Sequence, residues 1–142
     1  MSVALKVETE KPSASALALQ LAETLNDAAL SSEEAVAFAA QSRNERVKAA
    51  KCRELLGCVL ERDARAAKGL PPPEPQRRMD PMLTYSAAAL AEQLDQCTRR
   101  SEEFKTQAEA SEQRSRQAKG HATALQADIR AANAREASCA AR

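Results

Sequence analysis

Residues 83–139 read LTYSAAALAEQLDQCTRRSEEFKTQAEASEQRSRQAKGHATALQADIRAANAREASC, and their spacing decides the fold. Steps of four and three from Leu83 land on Ala87, Leu90, Leu94, Cys97, Ser101, Phe104, Ala108, Ser111, Ser115, Ala118, Ala122, Leu125, Ile129, Ala132, Glu136 and Cys139. Of these 17 positions 13 are apolar and one is charged, with no stutter. A 3.5-residue repeat sustained this long keeps one seam of a helix against a partner and supercoils left-handedly around it. As continuous helix the stretch would be about 85 Å long, at 1.5 Å per residue. The expected fold class is all-α: long coiled-coil helices in two arms separated by a Pro-rich break.

Composition agrees with this reading. The chain has 142 residues, at most one ordinary domain. Alanine takes 32 of them, whereas Leu, Ile, Val and Phe together take only 22. So few large side chains cannot bury a compact core that offsets the ordering entropy of the chain. The net charge is +1, with 21 basic and 20 acidic residues interspersed. That pattern suits solvated helix faces rather than disorder or nonspecific nucleic-acid binding. No apolar run approaches the roughly 18 residues of a membrane span, and the first dozen residues lack a signal-peptide core. Four cysteines without a CxxC pair are expected as reduced thiols in the cytoplasm.

Proline and glycine set the boundaries. Five of the six prolines fall between Pro71 and Pro81, and no helix crosses such a stretch. Gly69 is placed to cap a preceding helix. The sequence therefore divides into a tail over 1–12, a helical arm over 13–69, a linker over 70–82 and a long helix over 83–140. In the first arm Leu17, Leu21 and Leu25 form one apolar stripe. Ser31 and Glu34 fit a capping box, so a break is expected near 27–32. Beyond it Ala49, Cys52, Leu56, Val59 and Ala66 alternate by three and four, while Val36, Ala40, Val47 and Ala50 follow another register. The seam is expected to shift near residue 48, and Gly57 to weaken the helix by about 1 kcal/mol against Ala.

The long seam bears on partners. Between Cys97 and Leu125 its only large residue is Phe104, so two identical copies would gain little there at about 0.8 kcal/mol per buried CH₂. With Leu83 at d, a parallel homodimer sets Arg100 against Lys105 and Arg114 against Lys119 of the other copy, and both pairs repel. The expectation is a heterodimer with a partner acidic at the facing positions, the chain alone being poorly helical or aggregating. The alternatives are a homo-oligomer with these charges splayed into water, and the two arms folded back as an antiparallel hairpin, which the linker permits. Leu83, Leu90, Leu94, Cys97, Phe104, Leu125 and Ile129, with Leu56 and Val59 of the first arm, would supply burial. Arg100, Lys105, Arg114 and Lys119 would select the partner.

Chemistry for catalysis is missing. His121 is the one histidine and is expected on an exposed edge. Cys52 and Cys58 stand 240° apart around a helix and cannot share a zinc ion, and three glycines make no phosphate loop. Cys52, Cys97 and Cys139 fit seams as small core residues. No enzyme, cofactor or metal site is expected. Two weaker patterns remain. Pro72, Pro75 and Arg77 match a ligand that SH3 domains read in polyproline II form, although a rigid spacer is the favoured reading. The cluster Arg43, Arg46, Lys48, Lys51 and Arg53 could meet phosphate or membrane, but a solvated helix face is the favoured reading.

Asn44-Glu45-Arg46-Val47-Lys48-Ala49, followed by Arg53 and Leu55-Leu56, resembles a conserved block of the intraflagellar transport protein twenty family. Leu90-Ala91-Glu92, Gln96, Arg99 and Glu103-Phe104 resemble that family's following heptads. The two blocks cover about 40 residues by the spacing of their heptads. Ala50-Lys51 and Glu54 depart from the family pattern, and the Pro71–Pro81 stretch would be an insertion. The resemblance implies a coiled-coil subunit of the peripheral ciliary transport complex, paired with a longer subunit through the C-terminal helix and moving between Golgi and cilium. The functional expectation is a non-enzymatic coiled-coil scaffold subunit. Its alternatives are a cytoskeletal or axonemal component, or an SH3-recruiting adaptor.

Overall fold

Two serines open the two helices. The computed structural model describes residues 11–71 and 85–141. Among them all regular structure is helical: α1 runs Ala14–Ala67 and α2 runs Ala87–Ala140. Ser13 Oγ accepts the Ala16 N–H at 3.2 Å, and Ser86 Oγ accepts the Ala89 N–H at 3.1 Å. Each hydroxyl thus satisfies one of the backbone donors that a helix start leaves without an intrahelical partner. Glu136 Oε1 accepts the Ala14 N–H at 3.1 Å, placing a carboxylate at the positive end of α1.

The end of α1 is closed as its sequence predicts. Gly69 adopts φ 73°, a conformation that costs an L-residue with a Cβ. Leu70 N–H then reaches the Arg65 carbonyl at 2.9 Å and Gly69 N–H the Ala66 carbonyl at 3.0 Å. These two bonds make a Schellman cap. Arg65 Nε adds a 2.7 Å bond to the Pro71 carbonyl, holding the departing chain. Residues 1–10, and residues 72–82 of the expected linker, lie outside the described residues, as does Leu83.

The break expected near 27–32 is absent, because α1 passes through it without interruption. Ser31 is half-buried on the inner side of the helix, and Glu34 reaches across to α2 instead of back to a cap. Packing of one helix face outweighs the local capping preference. The expected shift of seam near residue 48 is also absent. Buried and half-buried positions on α1 run in unbroken steps of four and three: Leu17, Leu21, Thr24, Ala28, Ser31, Ala35, Phe38, Ser42, Glu45, Ala49, Cys52, Leu56 and Val59. Leu25 leaves this series and is 46% exposed, and Ala66 is exposed too. On α2 the inward positions follow the sequence seam from Ala87 to Ala132, while Glu136 and Cys139 are exposed.

The chain divides into two compact units, residues 1–35 with 109–142 and residues 36–108. Within each, a segment of α1 lies antiparallel to a segment of α2. In the first, Leu17 packs with Leu125 and Ala132, joined by Ala14, Leu21 and Ile129. Further along, Ser115 Oγ donates to the Ala28 carbonyl at 3.0 Å. In the second, Leu55, Val59 and Leu90 form a buried cluster with Leu56 and Ala87 against it. Phe38 stacks on Phe104 with centroids 6.4 Å apart and an interplanar angle of 23°, a pair worth about 0.5–1.5 kcal/mol beyond its burial.

Gly57 lies in the interior of α1, and a Cβ added there would meet nothing within 4 Å. Gly57→Ala should therefore stabilise the chain by about 1 kcal/mol. Gly69→Ala should destabilise it by about 1 kcal/mol, since the cap demands positive φ. Thermal melts followed by circular dichroism check both signs. A fall in midpoint for Gly57→Ala would contradict the open space around that position.

Candidate protein-interaction face

The inward seam is made of small polar and apolar residues, and their chemistry fixes how the helices meet. Ser42 Oγ donates to the Ser101 carbonyl at 2.9 Å, and Ser101 Oγ donates to the Ser42 carbonyl at 3.2 Å. A hydroxyl one carbon from its own backbone can reach the opposite backbone only when the two helices are in near contact. Both serines are buried, and each bond of this kind contributes about 0.5–1.5 kcal/mol net.

Ion pairs flank the seam. Arg114 Nη2 lies 3.3 Å from Glu34 Oε2 in the first unit. In the second, Arg100 Nη1 lies 3.9 Å from Glu45 Oε2, and Lys48 Nζ lies 3.3 Å from Glu45 Oε1. Glu45 is only 7% exposed; its Oε1 accepts a 3.3 Å hydrogen bond from Lys48 Nζ, whereas its Oε2 makes no hydrogen bond and is held by the charge of Arg100. Burial pushes the Cys97 thiol above its ordinary value of 9.0, helped by the carboxylate of Glu45 and by Cys52, and opposed by Arg100. Cys52 Sγ donates a long 3.9 Å bond to Gln93 Oε1.

The residues singled out for a second chain are thus mostly engaged within this one. Leu90, Leu56 and Val59 share one cluster, Leu125 and Ile129 share another, and Phe104 is stacked on Phe38. Leu94 is half-buried and Cys97 buried. Arg100 and Arg114 meet acidic residues as the sequence demands, but the acids are Glu45 and Glu34 of the same chain. The expectation that the chain alone is poorly helical is corrected accordingly, since α2 finds its complement in α1. Lys105, Lys119 and His121 are exposed. Pro72, Pro75 and Arg77 lie outside the described residues.

What the sequence reading missed is the second face of α1. Large apolar side chains exposed on α1 are Leu19, Leu25 and Leu30 in the first unit and Val36, Val47 and Leu60 in the second. On α2, among the described residues, every Leu, Ile and Phe is buried or half-buried. Val36, Ala40, Val47 and Ala50, read as a stretch of seam in another register, form a stripe on the side of α1 away from Phe38, Ser42 and Ala49. The two competing registers were the signal: a helix with two apolar registers has two faces to cover.

The fold and side-chain pattern define a two-helix, all-α chain without a cluster of His, Cys, Asp or Glu fit to hold a metal ion among the described residues. No helix of the described residues is long and apolar enough to cross a membrane. No protein-family model, curated protein or solved structure matches the chain.

Ser101→Val should cost about 1–3 kcal/mol, because it removes the exchange with Ser42 and adds bulk where the backbones nearly touch. A Ser101→Val melt equal to that of the unaltered chain would refute the close approach. For Cys97, the folded thiol ionises at higher pH than the unfolded one, so stability is held below about pH 9 and declines above it. Urea midpoints measured on either side of that pH should fall for the unaltered chain and fall less for Cys97→Ala. A thiol reagent should modify exposed Cys139 long before Cys97.

Proposed function

We propose that this chain is a non-enzymatic helical interaction subunit that joins a larger assembly by docking a helix of another protein on α1. The observation that carries the reading is the asymmetry between its helices. α2 turns its large side chains inward, whereas α1 has six such side chains exposed after its seam is filled. Scattered single hydrophobes on a surface need no explanation, but in the second unit Val36 and Val47 share one side of α1 with Ala40 and Ala50, in steps of four, seven and three, and such a stripe marks a binding face. Pairing with a second protein then proceeds in coiled-coil fashion on top of the internal pairing, making a heteromeric bundle rather than a simple heterodimer through α2.

The two blocks that resemble the intraflagellar transport protein twenty family support placing the assembly at the cilium or flagellum, with cytoplasmic passage to it. In that setting the chain is a scaffold component without cofactor.

The test is site-directed photo-crosslinking in cells, with the probe residue placed at Leu25, Val47 or Leu60 of α1 and at Gln117 or Gln126 of α2. Cross-links to one other polypeptide from the α1 positions, with little from α2, are expected. Equal cross-linking from both helices, or none from α1, would overturn the reading. Recovery of ciliary transport subunits would support the family placement, and recovery of unrelated proteins alone would remove it.

A further inference from the structure

Exposed residues of α1 between 36 and 53 are Val36, Ala37, Gln41, Arg43, Asn44, Arg46, Val47, Lys48, Ala50, Lys51 and Arg53. Five are cations and none is an anion. The one acid in the span, Glu45, is buried on the opposite side against Lys48 and Arg100. Among the described residues Arg43, Arg46 and Arg53 make no ion pair or hydrogen bond through their side chains. In a chain whose charges otherwise alternate and cancel, this is a one-sign surface. It coincides with the most exposed apolar residues of the unit, Val36 at 66% and Val47 at 70%.

The geometry points to the partner's chemistry: we propose that the Val36–Val47 stripe receives an amphipathic helix with its own apolar seam flanked by Glu or Asp. This rests on the interaction-subunit reading above and specifies its site. Val36, Ala40, Val47 and Ala50 recur at the steps that a second helix's knobs require, and the alanines admit close approach. Arg43 takes the step of the same series between Ala40 and Val47, and Arg46 lies to one side of it, so carboxylates beside the incoming seam come within reach of bidentate pairing.

The same faces of a second copy do not fit. Its own Val36–Val47 stripe carries the same cations, and its outward α2 residues in this unit, Glu92, Asp95, Arg99 and Glu102, offer acid with only Ala88 and Ala91 as exposed apolar neighbours. An anionic lipid surface fits less well than a helix. Interfacial helices seat Trp, Phe or Leu in the acyl boundary, whereas here the apolar contribution is two valines and alanines, Phe38 being stacked inward.

The experiment uses the full chain and a fluorescent four-heptad peptide with Leu at a and d and Glu at e and g, whose own charges keep it from pairing with itself. A Lys-flanked peptide of the same length and vesicles of phosphatidylcholine and phosphatidylserine serve as comparisons. Anisotropy should show binding of the Glu peptide, at least about tenfold tighter than the Lys peptide and weakened as salt rises through about 0.5 M. Val47→Asp should weaken it by about tenfold or more. Arg43→Glu with Arg46→Glu should transfer the preference to the Lys peptide. All three positions are exposed, so unchanged helix content by circular dichroism is expected of each variant. Equal affinity for both peptides, or indifference to Val47→Asp and to charge reversal, would overturn the proposal. Binding to vesicles without binding to the Glu peptide would overturn it in favour of a lipid surface. Failure here with persistent cross-links from Leu25 or Leu60 removes this site alone, whereas loss of those cross-links as well removes the interaction-subunit reading.

Discussion

The closeness of the two backbones governs the rest of the molecule. Ser42 and Ser101 each bond the other's carbonyl, and Ser115 bonds that of Ala28. At these contacts no large side chain fits between the helices, so in each unit serine and alanine take much of the seam, with the Phe38–Phe104 stack as the exception. The high alanine content follows from this. Alanine is both the best helix former and the smallest side chain that still excludes water from a helix–helix contact. A small apolar inventory suffices because dispersion contacts between near-touching backbones replace part of what bulky side chains give elsewhere.

Charge follows the same constraint. Arg100 and Arg114 would repel the lysines of an identical parallel helix, and in the folded chain they face Glu45 and Glu34 instead. Exposed pairs of this kind add little stability, but they discriminate between arrangements. Glu45 goes further, since a buried carboxylate with one oxygen lacking a donor penalises any arrangement that removes Arg100 and Lys48 from its side. Near-neutral total charge is thus the sum of complementary faces, with a local excess of cations left on α1 between Arg43 and Arg53.

Much of α2 was legible in the sequence, down to individual residues. Every seam position from Ala87 to Ala132 is buried or half-buried, because a 3.5-residue repeat of apolar and small residues has one reading in a helix. The Gly69 cap was legible for a similar reason: few residues tolerate its φ. α1 was harder. Thr24, Ser31, Ser42 and Glu45 occupy inward positions and look like surface residues by polarity, while Leu25, Val36 and Val47 point outward and look like core. Local capping chemistry at Ser31 and Glu34 suggested a break that the inner packing of the helix overrides. The site was legible only as two conflicting registers on one helix. Which of them faced α2 depended on matching small residues and opposite charges across 59 positions of sequence at Ser42–Ser101 and 80 at Glu34–Arg114, and no local rule reaches that far.

Because both sides of the seam belong to one polypeptide, its formation is a first-order process, indifferent to dilution. An ordinary two-chain coiled coil falls apart when its concentration drops below the dissociation constant, and its helices melt with it. Here Leu90 meets Val59, and Leu125 meets Leu17, however scarce the protein is in the cell. A newly made copy can therefore complete this pairing before it meets any other protein.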